Sequence, residues 1–324
     1  MTVARAPAVV PNKDGAGLVG RCVAAALAGG AEEVVVVDDG STDASPAEAA
    51  AAGARVVPSS GRGFAAAVNT GFHGTAGESL LLLNSDCFLE PSTLPLLAET
   101  LAADASLGAV GAGLSDADGA PAKSHGRVLT PWHAFRNDVL VKPPPLPART
   151  TGVERAEFLP LACVLVRRRL LEALGGLDER FPFYFEDQDF ALRARRAGWT
   201  LAVRWDARAT HIGGGSSAGR DAQRWTAQFY RSRTTFLRTH FGFSARLHAA
   251  AWSAIALAMA AAWRVRQAPA ARQWSRAYVE AARAAWRSPD APDHRPLLRG
   301  EPERPHECGA DEEPGDADRR EPRE

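Results

Sequence analysis

Three carboxylates, Glu186, Asp187 and Asp189, crowd together directly after the aromatic run Phe183, Tyr184 and Phe185. Acids set beside aromatics cost free energy unless they cap a helix, hold a cation or handle a proton. The residues that follow favour a helix. Phe190, Ala191, Ala194 and Ala197 recur at the spacing of one packed face, arginines fill the gaps, and Gly198 supplies a stop. If one of the three acids is a general base, the chain is an enzyme.

Two further acidic points follow apolar runs. Asp38 and Asp39 come after the valines 34–37, and Gly40 permits a tight turn. A carboxylate there can accept from a base NH or a ribose hydroxyl, or it can cap the next helix. Asn84, Ser85 and Asp86 follow the leucines 80–83. One carboxylate beyond a strand can hold a hard cation whose shell a phosphate completes, while Asn-Ser-Asp is equally good turn chemistry. His211 opens the run His-Ile-Gly-Gly-Gly-Ser-Ser at 211–217. Its glycines let backbone approach a phosphate closely. No Gly-Lys-Ser/Thr follows, so it is not a P-loop, and no Gly-x-Gly-x-x-Gly follows the first strand.

These residues need a scaffold that gathers strand ends. Segments 8–11, 33–37, 54–57 and 80–83 read as strands, and 17–27, 46–52 and 63–72 read as helices between them. Such alternation predicts an α/β fold with a mainly parallel, Rossmann-like sheet flanked by helices. Ligands then sit outside the carboxyl ends of the strands, where Asp38, Asp39 and Asn84 to Asp86 fall. Residues 115–157 are Pro- and polar-rich and predict an irregular excursion, with 142–147 neither helix nor central strand. A buried strand is expected over 158–166, a helix over 168–174, a strand over 200–205 and helix from 221 onward.

The formal charge is zero over 324 residues, but it is unevenly spread. Residues 216–289 hold twelve arginines against Asp221 and Glu280, whereas 290–324 hold twelve acids against six arginines. In the basic block Arg231, Arg233, Arg238 and Arg246 mix with Trp225, Trp252 and Trp263. That composition suits an anionic membrane surface, or equally a helical extension packed on the first domain with its arginines in water. Residues 247–263 lack Asp, Glu, Lys and Arg, at the short limit for a span and only mildly hydrophobic. Arginines in an Ala/Trp setting without a reading motif argue against a nucleic-acid partner. Cys22, Cys87, Cys163 and Cys308 have no paired spacing, and no signal peptide is visible. A cytoplasmic protein, peripheral at the inner face of the plasma membrane, is expected.

The order of the pieces is more specific than any one of them. Acidic strand end, Gly61-Arg62-Gly63-Phe64, Asn84-x-Asp86, aromatic Glu186-Asp187-x-Asp189 and His211-x-Gly resemble the family 2 glycosyltransferases of the GT-A fold. The bacterial rhamnosyltransferase-like branch is the nearest likeness, over about residues 8–217. The resemblance implies a GT-A catalytic domain at 1–219; composition adds a basic Trp/Ala-rich helical extension at 220–288, membrane-associated on one reading, and a disordered charged tail at 289–324. It also implies a metal-dependent, inverting transfer from a nucleotide-diphosphate sugar to a hydroxyl of a glycan or polyprenyl-linked acceptor.

Position by position, the resemblance makes Pro11 part of a nucleotide-contacting loop, in which Asn12 and Lys13 depart from the usual Thr-Tyr-Asn. Asp39, with Asp38 as second candidate, would read the base or ribose. Arg62 and Asn69 would line the donor site, unless Asn69 ties its helix to the sheet. Asn84 would hydrogen-bond the donor, while Asp86 and His211 would hold Mg2+ or Mn2+. Asp187 would be the base and Glu186 an acceptor contact, with Asp189 and Trp199 acceptor contacts or helix-end residues. A sugar nucleotidyltransferase and a catalytically inactive scaffold are the alternatives.

Overall fold

The runs of valine and leucine are the central strands of a sheet covered by helices on both faces. The computed structural model describes residues 6–139, 149–213 and 222–242, with helical positions at 250, 253–254, 257–258, 261 and 279. All fall in the unit Met1–Asp290; a second unit, Ala291–Glu324, lies outside the described residues.

The first half alternates as expected: β1 (Ala8–Asn12), α1 (Val19–Ala28), β2 (Val34–Asp38), α2 (Ser45–Ala51), β3 (Arg55–Pro58), α3 (Phe64–His73) and β4 (Ser79–Leu83). Then come β5 (Cys87–Leu89), α4 (Thr93–Ala103), β6 (Leu107–Ser115), α5 (Pro131–Val139) and β7 (Val153–Ala156). The chain closes with β8 (Cys163–Arg167), α6 (Arg168–Leu174), α7 (Glu186–Arg196), β9 (Thr200–His211) and α8 (Ala222–Phe241). Sheet order is β3-β2-β1-β4-β8-β6-β9-β5, and β7 also pairs with β9.

Strands β3, β2, β1 and β4 are parallel, as βα alternation requires. Beyond β4 the sheet is mixed: β8 runs antiparallel to β4 and β6, whereas β9 is parallel to β6. Residues 157–162, which lead directly into β8, form no helix, so no helix immediately before the strand sets a parallel direction. Alternate residues of each central strand enter opposite cores. Val9, Val35, Val37, Leu80 and Leu82 face one, and Ala8, Val10, Val34, Val36, Leu81 and Leu83 the other.

Chain direction across the sheet reverses at β1, which has β2 on one side and β4 on the other. The β1–β4 ladder ends at Val9, and Pro11 has no N–H with which to extend it. The carboxyl ends therefore open a crevice between β1 and β4, the usual ligand position in such sheets.

Three expectations need correction. The excursion 115–157 contains α5 and β7; Ala134 of α5 is buried in the core although its surroundings lack a clean apolar period. The strand expected over 158–166 begins only at Cys163. Pro160 cannot donate to a ladder, so Phe158, Leu159 and Leu161 enter the core from irregular backbone. The strand expected over 200–205 runs on to His211, past a register shift between Arg204 and Arg208.

Helix α8 shares the first core, since Phe236 and Leu237 are buried in it with Phe190 and Leu82. Residues 142–147, nearly all of 247–263 and the tail 289–324 lie outside the described residues. Among the described residues no helix is long and apolar enough to cross a membrane.

Candidate active site

On the β1 and β2 side of the crevice, two turns lock into one unit. Asn12, buried at the end of β1, donates through Nδ2 to Ser45 Oγ at 2.8 Å and Ser41 Oγ at 3.2 Å. The Lys13 ammonium donates to the Gly40 carbonyl, and Asp14, at φ 51°, accepts from Thr42 N at 2.8 Å. The residues that depart from the usual first loop thus stitch it to the next turn. Asp38 accepts from Ser41 N and Oγ and holds that turn. Asp39 Oδ2 accepts from Gly63 N at 2.9 Å, while its buried Oδ1 has no hydrogen-bond partner.

Gly63 is a joint. Its φ of 98° suits glycine, and a Cβ there would collide with the Pro182 carbonyl, which accepts from Phe64 N at 2.8 Å. At this one residue the Asp39 turn, the start of α3 and the loop leading to Glu186 meet.

On the β4 side, the Asn84 to Asp86 turn meets the end of β9. His211 Nε2 lies 3.2 Å from Asp86 Oδ1 and 3.3 Å from Asn84 Nδ2. Asp86 is buried, and Asn84 Oδ1 is buried without a partner. Antiparallel β5–β9 pairing, which sets Cys87 opposite His211, brings together residues 125 positions apart in sequence. Among the described residues no three His, Cys, Asp or Glu side chains cluster as a complete metal cage. Carboxylate and imidazole nevertheless form a donor pair that fits a divalent cation sharing its shell with phosphate oxygens.

The acidic cluster begins α7, where carboxylates face the positive helix end, with Arg193, Arg195 and Arg196 in the last turn. Two consecutive non-glycine residues precede it in left-handed conformation, Tyr184 at φ 66° and Phe185 at φ 70°. Each costs about 1–3 kcal/mol and persists only where surroundings impose it. Here α8 does so: Ser232 Oγ donates to the Phe183 carbonyl at 2.9 Å, and Phe229 and Phe236 pack on Phe185 with centroids 5.4 and 5.5 Å away.

Burial, then the charges of Asp187 and Asp189, push the Glu186 carboxyl well above its ordinary range, and its Oε2 has no hydrogen-bond partner. Burial raises Asp187 from 3.8 to about 6, against the lowering effects of the Gln188 N–H and the Lys123 ammonium. A buried acid that holds its proton more tightly than usual, beside one raised to about 6, is a division suited to proton handling.

Asp189 faces inward and is fully buried, accepting from Arg193 Nε at 2.6 Å and paired with His240 Nε2 at 2.7 Å. Trp199 lies at the opposite end of β9 from His211, on the order of 30 Å of strand away. Asp189 thus stands in the first turn of α7, and Trp199 follows its last residue by three positions. Asn69 bonds the Leu177 backbone through both amide atoms and Glu179 Oε1 at 3.0 Å, which ties α3 to the loop after α6. Arg62 pairs with Glu179 at 2.8 Å with its side chain mostly exposed, at the rim. Gly214 to Ser217 fall outside the described residues.

Lys123, Ser232, Phe236 and His240 are absent from the sequence-derived site. Lys123 sits in the segment whose Leu129 N–H donates to Gln188 Oε1 at 2.9 Å, and no local pattern marks it. His240 carries no signal beyond helical phase.

The family model described as glycosyl transferase family 2 matches residues 8–172. N-acetylglucosaminyl-diphospho-decaprenol L-rhamnosyltransferase of Mycobacterium tuberculosis, in strains CDC 1551 / Oshkosh and H37Rv, is 29% identical over 178 residues. That match covers 51% of this chain and 58% of the relatives' length. Two solved structures share the fold. GalNAc-T7 with UDP, GalNAc and Mn2+ superposes with TM-score 0.53 and 15% identity over 71% of this chain and 48% of the other. Mannosyltransferase PcManGT from Pyrobaculum calidifontis with GDP-Man and Mn2+ gives 0.50 and 19% over 86% of each. The GT-A architecture expected from the sequence is therefore the one observed.

Proposed function

Because the chain belongs to glycosyl transferase family 2, we propose that it moves a hexose from a nucleoside-diphosphate sugar to an acceptor hydroxyl, with inversion. The observation that carries this reading is the Asp187 carboxyl, half-buried at the start of α7 and raised to about 6. Asp187 takes the proton of the acceptor hydroxyl as that oxygen bonds to the anomeric carbon, and the diphosphate oxygen leaves with the electron pair. Glu186, whose carboxyl is pushed upward by burial, faces the acceptor beside Asp187. Asp39 Oδ1 accepts from the donor nucleoside, and Asn84 Oδ1 with Asp86 and His211 faces the diphosphate. When bound there, Mg2+ or Mn2+ would offset the charge growing on the departing diphosphate.

The acceptor class proposed is a lipid-linked or cell-envelope glycan; the name of the mycobacterial relatives gives a diphospho-decaprenol-linked sugar as the acceptor of those proteins. A panel of nucleotide sugars, with and without Mn2+, against a polyprenyl-diphosphate-linked amino sugar tests the whole reading. Cation-dependent transfer from one donor is expected, and none from any donor would refute it. In the same assay Asp86→Ala should lower kcat/KM by about 10²-fold or more, since such a cation supplies several kcal/mol. An unchanged value would remove Asp86 from the site.

Acidity has opposite effects on rate and stability. Below about pH 6 the base is protonated, so kcat/KM should fall about tenfold per pH unit. Between 3.8 and about 6 the folded protein keeps a proton that the unfolded chain releases, so the Asp187 contribution to stability declines as pH rises through that window. A pH–rate profile paired with thermal melts reads both, and a rate flat from pH 5 to 7 contradicts the base assignment.

The basic block 220–288 is proposed to rest on the anionic membrane surface that carries the acceptor. Flotation on vesicles containing anionic lipid should retain the full chain and lose a chain ending at Gly242. Equal flotation of the two argues against it.

A further inference from the structure

Helix α8 lies beyond the segment that the family model matches, yet it grips the start of α7 at several points. Its last turn places His240, its side chain 4% exposed, against fully buried Asp189. The guanidinium of Arg196 approaches His240 Nδ1 at 2.9 Å, and Arg196 Nη2 donates to the His240 carbonyl at 3.2 Å. A guanidinium has donors only, so Nδ1 must be the acceptor. The imidazole proton is then on Nε2 and is donated to Asp189 Oδ1 at 2.7 Å. Arg193 completes the other carboxylate oxygen and also donates to the carbonyls of Leu174 and Gly176. One turn earlier on α8, Phe236 stacks on His240 with centroids 4.9 Å apart and reaches Phe185, the left-handed residue next to the acidic pair.

On the reading that Asp187 is the base, we propose that His240 is a positioning residue: through Asp189 and Phe236 it fixes the first turn of α7 and hence the aim of Asp187. His240 touches neither donor nor acceptor. Its contribution is orientation, and a displacement of about 1 Å at a reacting group costs about 10²-fold in rate. The effect belongs in kcat, because the donor residues Asp39, Asn84, Asp86 and His211 stand on other elements.

The experiment uses the full chain and three variants. His240→Leu removes the Nε2 donor and keeps the bulk; His240→Gln restores an N–H near the Nε2 position; Asp187→Asn tests the underlying assignment. His240→Leu should lower kcat about 10- to 100-fold, with both KM values within about twofold. His240→Gln should recover most of the loss. Rates are taken per folded protein, at a temperature below the melting transition of every variant. A His240→Leu enzyme with unchanged kcat, or a Gln variant as impaired as the Leu variant, overturns the inference. If Asp187→Asn is inactive while His240→Leu is fully active, this inference alone falls. Full activity of Asp187→Asn removes the base assignment and the inference with it.

Discussion

Asp187→Asn is expected to lower sugar transfer by about 10²–10⁴-fold, the range that a positioned general base contributes. The substitution keeps size and shape and leaves an oxygen to accept from Gln188 N, which now bonds Asp187 Oδ1 at 2.7 Å. It removes only basicity. Donor affinity should hold within about twofold, because an interaction made in the transition state leaves ground-state binding alone. Folding should hold as well. Burial disfavours the Asp187 charge, so a neutral amide lifts a desolvation cost while giving up the attraction of the Lys123 ammonium. Transfer assays, nucleotide titration and a thermal melt separate the three quantities. Full transfer activity would assign the proton to another group.

Ending the chain at Gly219 is expected to abolish transfer and most of the cooperative melt. Without α8, Asp189 loses the hydrogen bond from His240, and a bond to a charged group contributes about 1.5–3 kcal/mol. Losing the fully buried Phe236 costs about 3–5 kcal/mol more. A whole domain is stable by only about 5–15 kcal/mol, so these two terms are comparable with the total. The left-handed Tyr184 and Phe185 would also lose the aromatic and Ser232 contacts that impose their conformation. The catalytic unit is thus proposed to extend through Phe241, past the boundary at 219 that composition suggests. A Gly219 chain with native melting and activity would restore that boundary.

The sequence is easiest to read where one residue type repeats. Valines 34–37 and leucines 80–83 announce β2 and β4, and the acids directly beyond them mark the strand ends on either side of the crevice. Strand β6 is harder, because Gly108, Gly111 and Gly113 dilute its pattern. The structure explains them by close approach. A Cβ at Gly108 would come within 2.6 Å of Leu170 Cδ2, and one at Gly113 within 3.0 Å of the Trp205 carbonyl. Short polar β7 shows no alternation of burial strong enough to read. Asp86 and His211 were recognisable as a pair from motif order, but their contact depends on β5–β9 pairing, which no local pattern encodes. The charge of Lys123 on Asp187 and the tie from His240 to Asp189 are tertiary facts of the same kind.

Gly63 bears on how such an enzyme can be rebuilt. Its N–H holds Asp39, and its bare α-carbon lies against the Pro182 carbonyl, four residues before Glu186. A graft that exchanges the loop before α7 for that of a relative, to change the acceptor, would also move the support of the Asp39 turn, the turn proposed to meet the nucleotide. Chimeras with a crossover between residues 63 and 182 should therefore change donor affinity together with acceptor choice. Blocks that carry the 60–64 and 180–186 segments from one parent keep the two selectivities independent.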